Sequence, residues 1–344
     1  MADLHVTGSK DVRKGRSVIV LLRIVVVILL TGFVVSPALA QEKLRFYLGA
    51  SSKTLGYSPL WVAAKKGFFE QQGLDVQLLL LRGTPMTVQA LAGASLNVGS
   101  GSPEAFIEAS ERGLDLVIIG GIINGLTHYI VGGKNYKTYQ DLRGATLGAS
   151  SLTSGTVTAF KQALKVKGLE YPRDYKILVV AGGSSANLAA LQAGQIAATT
   201  VAIPLNYLAE EAGFSVIGRL IDAVPDFQLT VIASKRSWAE KNRSSMVRFM
   251  KGMAQANRWL YDNKEPAIDF LTREMQLKPN HAARGWEYYT QNRIWHPDGD
   301  LNLEGMKYNL RIYAEQTGAK GPSDYAKYID QSYLYDALKE LKKK

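Results

Sequence analysis

Hydroxyl side chains set immediately before prolines are the residues of this chain best placed to do chemistry. Ser58-Pro59, Thr84-Pro85 and Ser102-Pro103 each open an apolar-rich run that stops at a glycine, at Gly67, Gly93 and Gly113. A hydroxyl N-cap, a proline at the first helical position and a glycine past the end punctuate a short helix. The start of such a helix offers unpaired N–H groups and the positive end of a dipole, so several of them facing one crevice would hold an anionic or polar ligand. Bond-breaking chemistry has no comparable support. His5, His128, His281 and His296 show no metal-ligand spacing, cysteine is absent, and no G-x-S-x-G, H-E-x-x-H or Walker A pattern occurs. Gly99-Ser100-Gly101 begins a dinucleotide-like run, but Glu104 stands where its last glycine belongs. No catalytic residue, metal ligand or cofactor is expected.

Strands must hold those helices. Leu44 to Leu48, Val76 to Leu81 and Leu96 to Val98 precede the three phrases, and strand-to-helix turns of one kind predict a parallel sheet whose strand ends face a common crevice. The grammar returns after Gly144. Strands are expected at Ala145 to Ala149, Tyr175 to Val180 and Ile196 to Val201, with helices opening near Ser154, Gly183 and Pro204. Ala90 to Val98 resembles Ala190 to Ala198, each a helix end, a glycine and a strand start. The fold class that follows is α/β with two similar lobes, each a mainly parallel sheet flanked by helices. Helical spacing over Trp238 to Asn263, Pro266 to Leu277, Asn280 to Gln291 and Leu303 to Gln316 adds a block expected to pack back on lobe one. Lobe one is then 41–131 with 232–344, lobe two is 132–231, and the chain crosses twice, near 131–134 and 232–234. Two crossings make a hinge and a closing cleft.

The loops at the helix starts supply the candidate ligand contacts: Tyr57, Ser58, Thr84, Ser100 and Ser102 from lobe one, and Ser151, Ser154, Gly155, Thr156, Ser184 and Ser185 from lobe two. Ser58, Thr84 and Ser102 are also expected to cap their helices. Tyr57 offers a ring that would stack on a ligand or wall off its tail. Arg82 is a candidate ion-pair donor or a solvated strand end. Asn124 and His128 fall near the lobe junction, where a hydrogen-bonded packing histidine is expected, and Trp286, Tyr288, Tyr289 and Trp295 read as packing.

The formal net charge of the 344 residues is +11 at pH 7. Arg13, Lys14, Arg16 and Arg23, the short apolar stretch Ile24 to Val35 and Ser36-Pro37-Ala38-Leu39-Ala40 form a cleavable leader, cut after Ala40. The apolar stretch is shorter than the roughly 20 residues of a membrane span. Beyond it the basic residues are dispersed, apart from a tail of Lys339, Lys342, Lys343 and Lys344, so no nucleic-acid partner is expected. With no cysteine after the leader there is neither a disulfide nor a lipid anchor, and the mature chain must rely on its core alone.

The run Pro59 to Val76 closely resembles the first helix-and-strand signature of periplasmic solute-binding proteins, in the nitrate/sulfonate/taurine group of ABC importers that also includes thiamine-pyrimidine binders. Ala90-Leu91-x-Gly93, Asp141-Leu142-Arg143-Gly144, Ala190-Leu191-x-x-Gly194 and Tyr328 to Leu334 fit the same pattern in order and spacing. The resemblance spans the chain beyond the leader. It implies a type II-like, two-lobed periplasmic binding protein, acting as a monomer, that closes on a small sulfonate, nitrate, carboxylate or pyrimidine-type solute. A permease with its ATPase in the inner membrane is then its partner. Asn97 and Ala197 depart from the group's usual aspartates. Enzymes of related fold depend on cysteine, which this chain lacks; a sensor presenting solute to a membrane receptor is the alternative.

Overall fold

The computed structural model describes residues 44–81, 83–152, 154–318 and 325–343. The leader, its cleavage point and Arg82 lie outside them. Strands β1 (Leu44–Ala50), β2 (Leu74–Leu80), β3 (Val98–Gly101) and β4 (Leu116–Ile123) alternate with helices α1 (Ser58–Lys65), α2 (Thr84–Ala92) and α3 (Pro103–Glu111). Strand β5 (His128–Gly132) then leads into β6 (Thr146–Ala149), α4 (Gly155–Val166), β7 (Lys176–Val179), α5 (Gly183–Gln192), β8 (Ala198–Ala202), α6 (Leu205–Glu211) and β9 (Ser215–Arg219). Strand β10 (Thr230–Lys235) precedes the helical block α7 (Arg236–Lys241), α8 (Arg243–Asp262), α9 (Lys264–Glu274), α10 (Pro279–Gln291), α11 (Leu303–Thr317) and α12 (Ser332–Lys342).

Among the described residues the strands form two five-stranded sheets, β2-β1-β3-β10-β4 and β7-β6-β8-β5-β9. In each, a parallel trio is followed by one antiparallel strand that arrives from the other lobe: β10 pairs with β3 and β4, and β5 pairs with β8 and β9. The expected crossings therefore sit a few residues too late. His128 already pairs with Ala202 and Thr230 with Ile123, so the crossings are 124–127 and 223–229. Sequence patterning marks a strand without showing which sheet it joins; that depends on pairing partners distant in the chain.

The lobes repeat each other in backbone detail at an offset near 100. Leu81 N–H donates to Ala50 O as Val180 N–H does to Ala149 O, and Ser95 N–H to Ala90 O as Gln195 N–H does to Ala190 O. Ser100 Oγ donates to Gly49 O (3.2 Å) and Thr199 Oγ1 to Gly148 O (2.9 Å). Both strands are glycine at that point for the same reason. A Cβ on Gly49 would stand 2.5 Å from Leu96 Cδ1, and one on Gly148 would stand 2.3 Å from Ile196 Cδ1.

The helical block distinguishes lobe one. Helix α8 buries Phe249 between Phe46 and Phe69, both stacked on it at 5.0 Å, and α12 lies against α8 with Lys251 paired to Glu340 at 2.9 Å. A fully buried phenylalanine is worth about 1.5–3 kcal/mol, so this layer alone anchors α8. The block also reaches lobe two. Ile203 and Tyr207 join the lobe-one core, and Glu210 and Glu211 pair with Arg284 of α10 and with Lys278 just before it, at 2.8 and 2.6 Å.

Candidate functional site

The carboxyl ends of β3 and β6, one in each lobe, lead into helix starts that meet beside the second crossing. Gln228, fully buried, ties the crossings together. Its Nε2 donates to Ile123 O (3.2 Å), Asn124 Oδ1 (2.9 Å) and Thr230 O (2.8 Å), while its Oε1 accepts from Asn302 N–H (2.8 Å) at the start of α11. Helix α11 then presses on the second crossing so closely that a Cβ on Gly305 would stand 2.5 Å from the carbonyl carbon of Phe227.

The starts of α3 and α4, one from each lobe, meet beside this joint. A Cβ on Gly155 would stand 2.8 Å from Glu104 Oε1 and 2.8 Å from Phe227 Cζ, so only glycine lets the lobes approach this far. Around that contact lies a crevice of about 420 Å³ whose lining includes Ser102, Glu104, Ser154, Gly155, Thr156 and Phe227. Glu104 accepts from Asn309 Nδ2 (2.6 Å) and is bonded by the Ser102 hydroxyl; burial nonetheless pushes its carboxyl above the ordinary range. Glu108, Tyr313 and Gln316 complete a lining with no basic side chain among the described residues. The wall combines two helix starts with carboxyls and an apolar face, so it suits a small organic body with polar groups.

The structure brings Ser102, Ser154, Gly155 and Thr156 together at this crevice and puts several other candidates to structural use. Ser58 and Ser100 are fully buried: Ser58 Oγ donates to Leu55 O (2.7 Å), and Ser100 Oγ holds Gly49 O. Thr84 Oγ1 accepts from Ser102 N–H (3.0 Å), stitching two strand-end turns. Tyr57 is buried with its hydroxyl on Ser51 Oγ (2.8 Å), and burial raises its pKa. The three hydroxyls do not cap as expected. Tyr57 and Gly83 occupy the cap positions of α1 and α2, Ser102 caps α3 only by position, and no side-chain cap bond forms at any of the three. Crowded strand ends offer these hydroxyls nearer partners than their own helix turn.

In lobe two, Ser154 does cap its helix, accepting from Val157 N–H (3.4 Å), and Ser151 Oγ accepts from Ser154 N–H (2.9 Å). Ser184 Oγ accepts from Ala202 N–H (3.2 Å), the counterpart of Thr84 with Ser102, and Ser185 is exposed. Asn124 Nδ2 donates to Asp300 O (2.7 Å), a structural use. His128 departs from expectation. Its Nδ1 is buried with no hydrogen-bond partner among the described residues, and burial lowers its pKa from 6.5 to about 4. The aromatic cluster packs as expected, Trp295 Nε1 donating to Gly56 O (2.9 Å) and the Tyr288 hydroxyl to Leu126 O (3.2 Å). Asn97 Oδ1 accepts from Tyr47 N–H (2.6 Å), a local turn bond that Ala197 cannot make. Glu104 and Phe227 are crevice residues that sequence reasoning does not reach. In the sequence Glu104 stands out only as the residue that breaks a glycine motif.

A family model described as NMT1/THI5 like matches residues 55–267, more than half of the chain. The chain belongs to the NMT1/THI5-like family. A Brucella abortus (strain 2308) relative named as a binding protein is 25% identical over 304 residues, covering 85% of this chain and 93% of its own. Among solved structures, the periplasmic aliphatic sulphonate binding protein SsuA from Escherichia coli matches with a TM-score of 0.67 at 20% identity, covering 85% of this chain and 99% of SsuA. The periplasmic nitrate-binding protein NrtA from Synechocystis PCC 6803 matches with a TM-score of 0.64 at 14% identity, covering 87% and 89%. This member of the NMT1/THI5-like family thus has the two-lobed α/β fold of periplasmic solute-binding proteins. Among its described residues no helix is long and apolar enough to cross a membrane, and no cluster of three or more His, Cys, Asp or Glu is arranged to hold a metal ion.

Proposed function

We propose that the chain is the substrate-capturing component of an ABC importer, binding a small organic solute between its lobes and delivering it to a membrane permease and its ATPase. The observation that carries this reading is the meeting of two helix starts from different lobes, through Ser102 and Ser154 to Thr156, on one crevice of about 420 Å³. The three relatives described above support it, each named as a binding protein. Ligand favours the closed form only through contacts it makes better there, which requires residues from both lobes. Export to the periplasm and cleavage after Ala40 belong to the same proposal, as does action without catalysis. The test is native mass spectrometry of the protein exported by its own host. A one-to-one small-molecule adduct released on unfolding, which then stimulates ATP hydrolysis by the permease complex in the protein's presence, is the expected result. An adduct-free protein that never stimulates the complex would sink the proposal.

A further inference from the structure

Lobe two rests on one carboxyl of lobe one. A Cβ on Gly155, the first residue of α4, would stand 2.8 Å from Glu104 Oε1 and 2.8 Å from the ring of Phe227, so the carboxyl lies against bare backbone. The donors that hold it belong to lobe one. The Ser102 hydroxyl bonds it, and the fully buried Asn309 donates from Nδ2 to Oε1 at 2.6 Å. Asn309 is itself fixed to the second crossing, Nδ2 donating to Gln228 O (3.0 Å) and Oδ1 accepting from Gln228 N–H (3.2 Å). No cation faces the carboxyl among the described residues. Glu108, one turn along α3, is paired with Arg112 at 2.5 Å; α11 presents Tyr313 and Gln316, the start of α4 Ser154 and Thr156, and the second crossing Phe227 and Leu229. Asp226 and Arg311 line a different crevice. In lobe two the matching helix α6 is preceded by Pro204 at this place, the register being fixed by Leu114 N–H to Ala109 O and Phe214 N–H to Ala209 O. The fold therefore does not require a carboxyl here.

Closure exchanges water for carbon on one face of this carboxyl and adds no donor to it. Burial of that kind disfavours the charged form, whereas the open form keeps Asn309 and Ser102 and regains water. We propose that Glu104 is a proton-operated latch: lobe two seats on the neutral carboxyl, closure taking up one proton from solvent, and ionisation releases it. The positive start of α4 works the other way, but none of its N–H groups bonds the carboxyl among the described residues. The raised pKa of Glu104, caused first by burial, agrees in sign. A group that holds its proton more tightly closed than open favours closure fully below its open-form value, and the preference is lost as pH rises through its closed-form value. The latch deepens the solute-capture reading, which supplies the hinge, and its test needs no solute.

The absence of cysteine allows site-specific labelling. Leu79→Cys and Leu178→Cys place spin labels at exposed, equivalent positions on the edge strands β2 and β7. The distance between them is read by pulsed electron resonance on the full-length protein freed of solute, over a pH series. The closed-to-open ratio is expected to fall as pH rises, by up to about tenfold per pH unit for a single proton. Glu104→Gln, permanently neutral with the same acceptor, is expected to stay closed across the series. Gly155→Ala, whose methyl group displaces the carboxyl, is expected to stay open. A wild-type distance that does not change with pH overturns the latch. A pH dependence that survives in Glu104→Gln also overturns it and belongs to another group, such as His128. Closure of Gly155→Ala equal to that of wild type overturns it as well. Each of these results leaves solute capture standing, because that reading fails only when the exported protein carries no adduct and never stimulates the permease complex.

Discussion

The two lobes share their backbone bonds and differ in the side chains set on them. Thr84 with Ser102 and Ser184 with Ala202 make the same stitch, as do Ser100 with Gly49 and Thr199 with Gly148. Each lobe also receives one antiparallel strand from the other, and the residue opening it differs. Thr230 opens β10, buried and within hydrogen-bonding reach of Tyr57, whereas His128 opens β5 with Nδ1 unpartnered. The polar group that opens the incoming strand is satisfied in lobe one and left open in lobe two, although the buried Thr87 hydroxyl of lobe one also lacks a partner among the described residues. The shared bonds are therefore scaffold, and function is to be sought where the copies diverge.

The largest expected effect is the acid lability that His128 gives to lobe two. Burial depresses the His128 pKa from 6.5 to about 4, so the unfolded chain takes up a proton before the folded one does. Stability from this group is fully present above pH 6.5 and is lost as pH falls toward 4. At 1.36 kcal/mol per pKa unit the loss approaches about 3 kcal/mol. His128→Thr copies lobe one and should flatten the slope of stability against pH between those limits. Denaturant melts at several pH values check it; an unchanged slope breaks the contrast. Glu104 acts in the opposite sense. Its raised pKa makes the folded state bind protons above the ordinary carboxyl range, so its contribution fades as pH rises rather than as it falls.

Next comes the strap that only lobe one possesses. A Cβ at Gly305 would meet the backbone of Phe227 and Gln228 at 2.5 and 2.7 Å, and backbone cannot step aside as a side-chain tip can. Gly305→Ala should cost about 2 kcal/mol, overpacking of about 3 less about 1 of regained helix propensity. A melt with no loss would show that the second crossing yields freely and is no fixed joint.

A smaller effect tests the repeat itself. Gly194 ends α5 at φ +71°, and its counterpart Ala94 holds φ +56° as a non-glycine residue. Ala94→Gly should stabilise and Gly194→Ala destabilise, each by about 1 kcal/mol, since the left-handed region penalises a Cβ by that order. Equal signs would mean the two turns are not equivalent.

Much of this architecture is legible in the sequence alone. The helix block, the strand-helix alternation and the 90–98 and 190–198 echo all follow from periodicity and punctuation, which are local. What is not legible depends on neighbours. Whether Ser58 caps a helix or bonds Leu55 O is decided by how the turn folds back, and the sheet that β5 joins is decided by β8 and β9. Glu104 looks like a failed glycine motif because its place beside Gly155 exists only once the lobes meet. Extending the echo sets Asn206 against Phe106, although its unpartnered state is a tertiary fact.

The smallest effect concerns how lobe two is fastened to α10. Glu211 accepts from Lys278 and lies 2.6 Å from His281 Nε2, and the Lys278 hydrogen bond first, then His281, holds its carboxyl down to about 2. The pair looks like a clasp between lobes. Lys278 is 59% exposed and Glu211 38%, however, and exposed pairs of this kind contribute about 0.2–1 kcal/mol once entropy and screening are counted. Beneath it, Ile203 and Tyr207 are buried in the lobe-one core, where each side chain is worth about 1.5–3 kcal/mol by area. The apolar insertion should therefore do the fastening. Lys278→Ala is expected to cost about 0.3 kcal/mol, with about 0.5 M salt producing a similar small loss in wild type, while Tyr207→Ala costs about 3 kcal/mol or more. A lysine variant that loses as much as the tyrosine variant would make the joint electrostatic, and lobe two would then open and close with ionic strength.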